Sequence, residues 1–243
     1  MSQYDLNIQR LPLEVLQHIF ILSSNPSFPL VSRNFHKAAN SQASVKTQWL
    51  LHYFQGKCKS ALQGGLKWRF FNKEILNQLD NIYYQQNLKI YEKMVGSYIT
   101  KVIPQPEKII PYENRIIPQR FFSSPDPDGR LIELTKILLD RGASPNEPQG
   151  YPIAKSVQRG NIKMAKLLIQ YKAKIDAAEN LALKLCVARN NLEMAKLLLD
   201  NGARAEDSFL ATAVKKGFWE MKKLLKDYGA TENAETINAF QRR

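Results

Sequence analysis

Apolar residues recur with helical spacing near the start of the chain, between Leu11 and Leu22. Two stripes run along this stretch: Leu13, Leu16 and Phe20 form the first, and Val15, Ile19 and Leu22 form the second. The spacing predicts a short helix. Pro12 suits the first helical position, where the missing N–H of proline is not needed. A helix that is apolar around most of its circumference has to be covered on more than one side.

The same kind of spacing continues beyond this first helix. It predicts a second helix at 28–40 and a third at 44–54.

The C-terminal half contains an internal repeat, which is visible as four aligned segments. These segments are 134–146, 164–176, 194–206 and 221–233. Upstream of the last three lie matched tight turns at 159–161, 189–191 and 216–218, rich in Gly and Asn, which tolerate the left-handed conformation that ends a helix. Each unit therefore reads as two helices joined by a turn.

The repeated segments resemble ankyrin repeats, in which the second helix ends in a leucine pair before Gly-Ala. The pairs here are Leu138-Leu139, Leu167-Leu168, Leu197-Leu198 and Leu224-Leu225. The usual Thr-Pro-Leu-His start of the first helix is missing, with Pro152 as its one remnant, and Lys172 replaces a glycine. The resemblance implies an all-α solenoid over residues 131–243, with a concave binding face formed by the turn tips and the inner helices.

Two regions separate the repeats from the N-terminal helices. Residues 55–102 read as helical, and the pattern leaves open whether they hold a degenerate repeat with its turn at Gly65 and its leucine pair at Ile75-Leu76. Residues 103–130 are rich in proline, which excludes regular helix, so they form either a packed insertion or a mobile loop. The pairs Ile109-Ile110, Ile116-Ile117 and Phe121-Phe122 favour packing.

Residues 8–54 resemble the F-box, a three-helix domain that docks on the Skp-family adaptor of a cullin-RING (SCF) ubiquitin ligase. The resemblance rests on Leu11-Pro12, Val31-Ser32-Arg33, Phe35 and Trp49, which stand in the family's order. It implies that Val15, Phe35 and Trp49 belong to the domain's own core. The residues that it implies for adaptor binding are Leu11, Pro12, Leu13, Leu16, Ile19, Phe20, Leu30 and Val31.

The alternative is that these apolar side chains pack within the chain, as an N-terminal cap on the solenoid. The ligase interpretation therefore requires that Leu13, Leu16 and Phe20 stay uncovered by the chain itself.

Composition narrows the possible functions. The formal charge is +13, and it is spread along the chain, which permits acidic partners and argues against nucleic acid as a partner. Two distant cysteines favour free thiols in a reducing compartment. No apolar run is long enough to span a bilayer, and the N-terminus lacks the features of a secretory signal. We therefore expect the cytoplasm, the nucleus or both, and no membrane association.

Candidate chemistry is sparse. The three histidines lack metal-ligand spacing, and no phosphate-binding glycine loop or nucleophile motif occurs. We expect no catalytic residue, metal or cofactor. Candidate residues for binding a target protein are Lys155, Arg159, Lys174, Asp176, Arg189, Arg204 and Lys216. Three of these, Arg159, Arg189 and Lys216, occupy the same position in successive repeats. Stacked repeats would align them in a column, which either binds an acidic or phosphorylated partner or simply faces solvent.

These features predict a non-catalytic adaptor that acts as a substrate receptor of an SCF ubiquitin ligase. Its partners would be the Skp-family adaptor and cullin complex at one end and an unknown target protein at the other. The alternative is a basic ankyrin-repeat scaffold that binds acidic partners or nucleic acid without a ligase.

Overall fold

A computed structural model describes residues 8–95, 105–234 and 237. Their regular secondary structure is helical, with an isolated bridge between Ile116 and Ser144 and no β-strand among the described residues. This confirms the predicted all-α fold. The chain divides into two compact units, one on either side of the Pro111–Tyr112 bond. The predictions made for 96–104, 235–236 and 238–243 lie outside the described residues.

The N-terminal unit is built from short helices followed by one long helix. Its α-helices are α1 (Leu13–Ser23), α2 (Arg33–Asn40), α3 (Ala43–Tyr53), α4 (Cys58–Gly65) and α5 (Lys73–Val95). Helix α1 packs on α2 and α3, and both α3 and α4 pack on α5. Helices α1 and α3 lie where the apolar spacing predicts them.

The helix predicted at 28–40 is divided into two elements. Phe28–Leu30 is a 3₁₀ turn, and α2 starts at Arg33. Ser32 is extended, and its side chain accepts a hydrogen bond from the backbone N–H of Phe35 at 3.3 Å. Serine in this position caps the first turn of a helix, which explains the late start of α2.

Aromatic rings form the core of the N-terminal unit. The Phe20 ring stacks on Trp49 with 5.6 Å between centroids, and Phe28 contacts both Phe20 and Phe35. Trp49 is fully buried and Phe35 is buried as well, which confirms their predicted core positions.

The segment after α3 departs from the repeat pattern. Helix α4 does end at Gly65, but Ile75 and Leu76 lie near the start of the 23-residue helix α5, whereas the leucine pairs of the repeats lie near the end of a short helix. Both side chains are fully buried. Their burial belongs to the N-terminal unit.

Four helix pairs follow one another in the described part of the C-terminal unit. They are α6 (Arg120–Ser123) with α7 (Arg130–Asp140), α8 (Tyr151–Gln158) with α9 (Ile162–Gln170), α10 (Ala177–Arg189) with α11 (Leu192–Asp200), and α12 (Asp207–Lys216) with α13 (Trp219–Asp227). The first helices α6, α8, α10 and α12 pack on one another, and the second helices pack as α7 on α9 and α11 on α13. The unit therefore has two helical layers.

The turns between paired helices use the Gly and Asn residues noted in the sequence. Asn161 and Asn191 cap α9 and α11 by accepting hydrogen bonds from the backbone N–H groups of Met164 and Met194, at 3.0 and 3.1 Å. Helix α10 is irregular at its start, because Ala178, Glu179 and Asn180 have positive φ, and its regular part begins at Leu181.

The described part of the proline-rich segment is packed, and it is divided between the two units. Ile110 is buried in the N-terminal unit, and Ile117, Phe121 and Phe122 are buried in the C-terminal unit. The backbone around Tyr112–Ile116 pairs with the turn after α7, for example through the Ser144 N–H, which donates to the Arg115 carbonyl at 3.1 Å. The helix pair α6–α7 and the backbone that packs on it therefore begin before the predicted boundary at 131, because α6 is too short and too close to prolines to show in the periodicity.

Candidate interaction surfaces

The N-terminal docking set predicted from the sequence is only partly exposed. Leu16 and Phe20 are buried, with 2% and 4% of their surface accessible, so the prediction that they face a partner is wrong. Helices α2 and α3 cover them, and Trp49 takes the face of the Phe20 ring. Leu11, Leu13 and Ile19 are half-buried.

Three members of that set remain on the surface. Pro12 is exposed, and Leu30 and Val31 are 82% and 65% accessible. Leu30 closes the 3₁₀ turn that follows α1, and Val31 comes directly after it. Adjacent large apolar side chains this exposed are typical of a surface that another molecule covers.

Two further apolar residues of α1 are exposed. Val15 was assigned to the core, yet it is 41% accessible, and Leu22 is 53% accessible. They stand seven residues apart, so they share one face of the helix. Because both stripes of α1 are apolar, the sequence carried no signal for which stripe would face the core.

A cleft of about 420 Å³ opens between the start of α1 and α2. Its lining combines apolar and polar side chains: Arg10, Leu11, Leu13, Leu16, Asn34 and Lys37. Two of these six side chains are cationic, and none is acidic.

The cations at the ends of the first helices of the repeats brace neighbouring repeats. Arg159 donates to the Ser123 carbonyl, Arg189 donates to the Gln158 carbonyl, and Lys216 Nζ donates to the Ala188 carbonyl at 2.8 Å. Each cation therefore binds the last turn of the preceding first helix. The last carbonyl groups of a helix lack a hydrogen-bond partner within the helix, and these contacts supply one. The positive charge also interacts favourably with the negative end of the helix dipole. The three cations are exposed, and each also has a structural partner in the neighbouring repeat.

The remaining predicted binding residues lie at the turn tips and on α8. Lys174, Asp176 and Arg204 are exposed, and the backbone N–H of Lys174 donates to Asn146 Oδ1 at 2.6 Å. The Asn180 side chain donates to the Arg204 carbonyl at 3.3 Å. Lys155 is half-buried and donates from Nζ to Gln158 Oε1 at 2.7 Å. The tips are thus linked to one another by hydrogen bonds, while their charged groups stay accessible.

A second brace links the outer layer of the repeats. The Tyr171 hydroxyl donates to Asp140 Oδ1, and the Tyr228 hydroxyl donates to Asp200 Oδ1. In each case the tyrosine follows one second helix and the carboxylate ends the second helix packed beside it. These hydrogen bonds raise the pKa of both phenols.

Reactive groups are few in the described part of the chain. No group of three or more His, Cys, Asp or Glu residues there is placed to hold a metal ion. Cys58 and Cys186 are buried, and burial raises the pKa of the Cys186 thiol to about 12 and raises that of Cys58 as well. His52 forms a 3.0 Å hydrogen bond with Ser24. None of the described helices combines the length and apolar character needed to cross a membrane.

Comparison with known proteins identifies two segments. Residues 9–40 match the family described as the YDR249C N-terminal domain, a description that does not confirm the F-box resemblance. Residues 127–208 match the model for three copies of the ankyrin repeat. No curated protein matches the chain. Ankyrin repeats are protein–protein interaction modules, and their architecture is typical of non-catalytic proteins. The C-terminal half of this chain therefore contains ankyrin repeats.

Proposed function

We propose that this protein is a non-catalytic adaptor whose ankyrin repeats hold a target protein while its N-terminal unit docks on the Skp-family adaptor of a cullin-RING (SCF) ubiquitin ligase. Its contribution to ubiquitin transfer would be positioning, because tethering raises the local concentration of the target near the ligase. Such an adaptor would act in the cytoplasm, the nucleus or both.

The exposure of Leu30 and Val31 carries the docking part of this proposal. Both belong to the set that the F-box resemblance implies, and both protrude from the N-terminal unit. Leu16 and Phe20 are two of the three side chains that the ligase interpretation required to stay uncovered, and both are buried, so the first stripe of α1 does not support docking. Docking therefore depends on Leu30 and Val31, together with Val15 and Leu22 on the exposed face of α1.

The test is co-purification of the full chain with a purified Skp-family adaptor. The variant L30D/V31D places two carboxylates on the exposed pair and leaves the aromatic core intact. We expect the intact chain to retain the adaptor and this variant to lose it. Phe20 is unsuitable for this purpose, because an aspartate there would unfold the unit.

A matched control changes two exposed isoleucines, which resemble Leu30 and Val31 in size and apolar character but lie outside the docking surface. Ile109 and Ile116 are 52% and 51% accessible, so I109D/I116D adds the same two charges to exposed apolar sites. This variant should retain the adaptor. Failure of the intact chain to retain the adaptor, or equal retention by both variants, would contradict the ligase role and leave the repeat scaffold.

A second candidate function is a basic scaffold without a ligase link, which the formal charge of +13 favours. It predicts that the intact chain is retained on an immobilised polyanion with a steep dependence on salt, and that the Skp-family adaptor is not retained. The two measurements on one preparation separate the candidates.

A further inference from the structure

Acidic and basic side chains are distributed unevenly over the ankyrin repeats. The C-terminal parts of α8, α10 and α12 and their caps carry six cations: Lys155 and Arg159, Lys184 and Arg189, and Lys215 and Lys216. We call these six residues the basic face. No Asp or Glu occurs between Glu147 and Asp176, between Glu179 and Glu193, or between Asp207 and Glu220. The C-terminal parts of these three first helices therefore carry cations and no carboxylate.

Carboxylates are present elsewhere in the unit, at defined places. In the second helices they lie on α7, α11 and α13, interspersed with lysines. At the other end of the first helices lie Glu147, Asp176, Glu179, Glu206 and Asp207, in or next to the turns that precede α8, α10 and α12. The charge thus changes sign along α8, α10 and α12, from acidic at the turns that precede them to basic toward their C-terminal ends. Among the second helices, α9 also carries two lysines, Lys163 and Lys166, and no carboxylate.

Helix dipoles explain only part of this arrangement. Arg159, Arg189 and Lys216 bind helix carbonyls and so have a structural role. Lys184 lies five residues before the end of α10, beyond the reach of the last turn. Lys184 and Lys215 are exposed, and neither forms a hydrogen bond or ion pair with the described residues. Their charges are available to a ligand.

The spacing of the basic face defines the shape of that ligand. Neighbouring packed helices lie about 10 Å apart, and an extended peptide advances about 3.3 Å per residue. An anionic group at every third residue would therefore meet one repeat after another. Because the bracing hydrogen bonds already order three of the six cations, a ligand would not have to immobilise them.

We propose that the basic face binds an extended, anionic peptide segment, with a carboxylate or a phosphate at about every third residue. This inference rests on the proposed function, in which the repeats hold the target protein, and it gives the chemical class of that target. Carboxylates and phosphates share the required chemistry, so the source of the anion is decided by the test.

The test measures fluorescence anisotropy of labelled 12-residue peptides with the full chain. One peptide carries Glu at every third position among Gly and Ser, a second carries phosphoserine at the same positions, and a third has the same composition as the first with its glutamates clustered. We expect one of the spaced peptides to bind more tightly than the clustered one, and added salt to weaken binding. The phosphoserine and Glu arms identify which anion is preferred.

The decisive variant is K184Q/K215Q, which removes the two unengaged charges without disturbing the braces. It should weaken peptide binding by about three- to tenfold, as expected for two exposed ion pairs. The matched control K166Q/K196Q removes two exposed lysines from α9 and α11 and should change binding by less than about twofold. Equal losses in both variants would show a general response to net charge and overturn the proposal.

Two other outcomes would also overturn it. In the first, neither spaced peptide binds. In the second, a single-stranded 12-nucleotide oligonucleotide binds more tightly than either spaced peptide. Retention of the Skp-family adaptor is measured separately on K184Q/K215Q and should not change. A failed peptide experiment is thereby distinguished from a failed ligase assignment.

Discussion

The Asp80 carboxylate accepts a hydrogen bond from the backbone N–H of Ile110 at 2.9 Å, and both residues are buried. Asp80 lies on α5, and Ile110 lies in the proline-rich segment. A second contact supports the first, because the Tyr83 hydroxyl donates to Glu107 at 2.7 Å. Prolines leave a segment short of helical hydrogen bonds, and here side chains of α5 supply partners for it.

We predict that D80A loosens residues 105–111. A hydrogen bond to a carboxylate contributes about 1–3 kcal/mol, and its loss should speed amide exchange in this segment. Hydrogen exchange followed by mass spectrometry measures the effect. D80N keeps an oxygen acceptor and should lie between D80A and the unchanged chain. Equal exchange in all three would show that the contact does not hold the segment.

The burial of Phe20 and the exposure of Leu30 predict opposite effects on stability. F20A should destabilise the N-terminal unit by about 3–5 kcal/mol, since it leaves a cavity beside Trp49. L30A should change stability by no more than about 0.5 kcal/mol. Both are measured by urea unfolding followed through tryptophan fluorescence in a W219F background, where the remaining tryptophans, Trp49 and Trp68, lie in the N-terminal unit. Similar losses in both variants would contradict the core described here.

These opposite effects mark what the sequence could and could not provide. Helical spacing located α1, and the leucine pairs located the later repeats, because both are local patterns. Whether Leu16 or Val15 faces the core depends on where Trp49 lies in α3, which is a tertiary relationship. The leucine pair Leu138-Leu139 located the second helix of the first repeat, but its first helix, α6, was missed because four residues show no periodicity.

The structural role of the basic column was likewise out of reach of local patterns. The sequence showed that Arg159, Arg189 and Lys216 share one phase. It could not show that each reaches a carbonyl of the preceding first helix, since those carbonyls lie about one repeat away in the chain.

The tyrosine–aspartate contacts of the outer layer predict a stability loss at alkaline pH. The raised pKa values of Tyr171 and Tyr228 mean that the neutral phenols are favoured in the folded state. The contacts therefore stabilise the fold below the ordinary phenol pKa and are lost as the pH rises through the folded-state values. In D140N/D200N the pKa of both phenols should fall toward the ordinary value, as measured by tyrosinate absorbance.

The control for this titration removes two charges from the same helices. Glu133 and Glu193 lie seven residues before Asp140 and Asp200, and E133Q/E193Q should leave the tyrosinate titration close to that of the unchanged chain. An identical curve for all three proteins would rule out the carboxylates as the cause of the raised pKa values.

Both cysteines should resist thiol reagents in the folded chain. The thiolate is the reactive form, and a pKa of about 12 leaves almost none of it at Cys186 near neutral pH. Labelling of Cys58 and Cys186 should therefore follow unfolding as urea is added. S208C places a thiol on an exposed position of α12 and should react at once. Rapid labelling of either native cysteine without urea would contradict the described burial.

The close approach of Gly150 to Ala177 gives the sharpest test of how the second and third repeats pack. A Cβ at Gly150 would lie 2.3 Å from the Ala177 Cβ, whereas one at Gly160 would meet nothing within 4 Å. The two glycines have φ of +74° and +68°, so alanine at either site carries similar backbone strain, about 1–2 kcal/mol. The difference between G150A and G160A in urea unfolding therefore isolates the clash, which we expect to cost a further 1–3 kcal/mol or so. Removing the opposing methyl group in G150A/A177G should recover most of that difference, because the two substitutions act on one contact. If G150A costs no more than G160A, or if A177G does not rescue it, the start of α10 does not lie against Gly150.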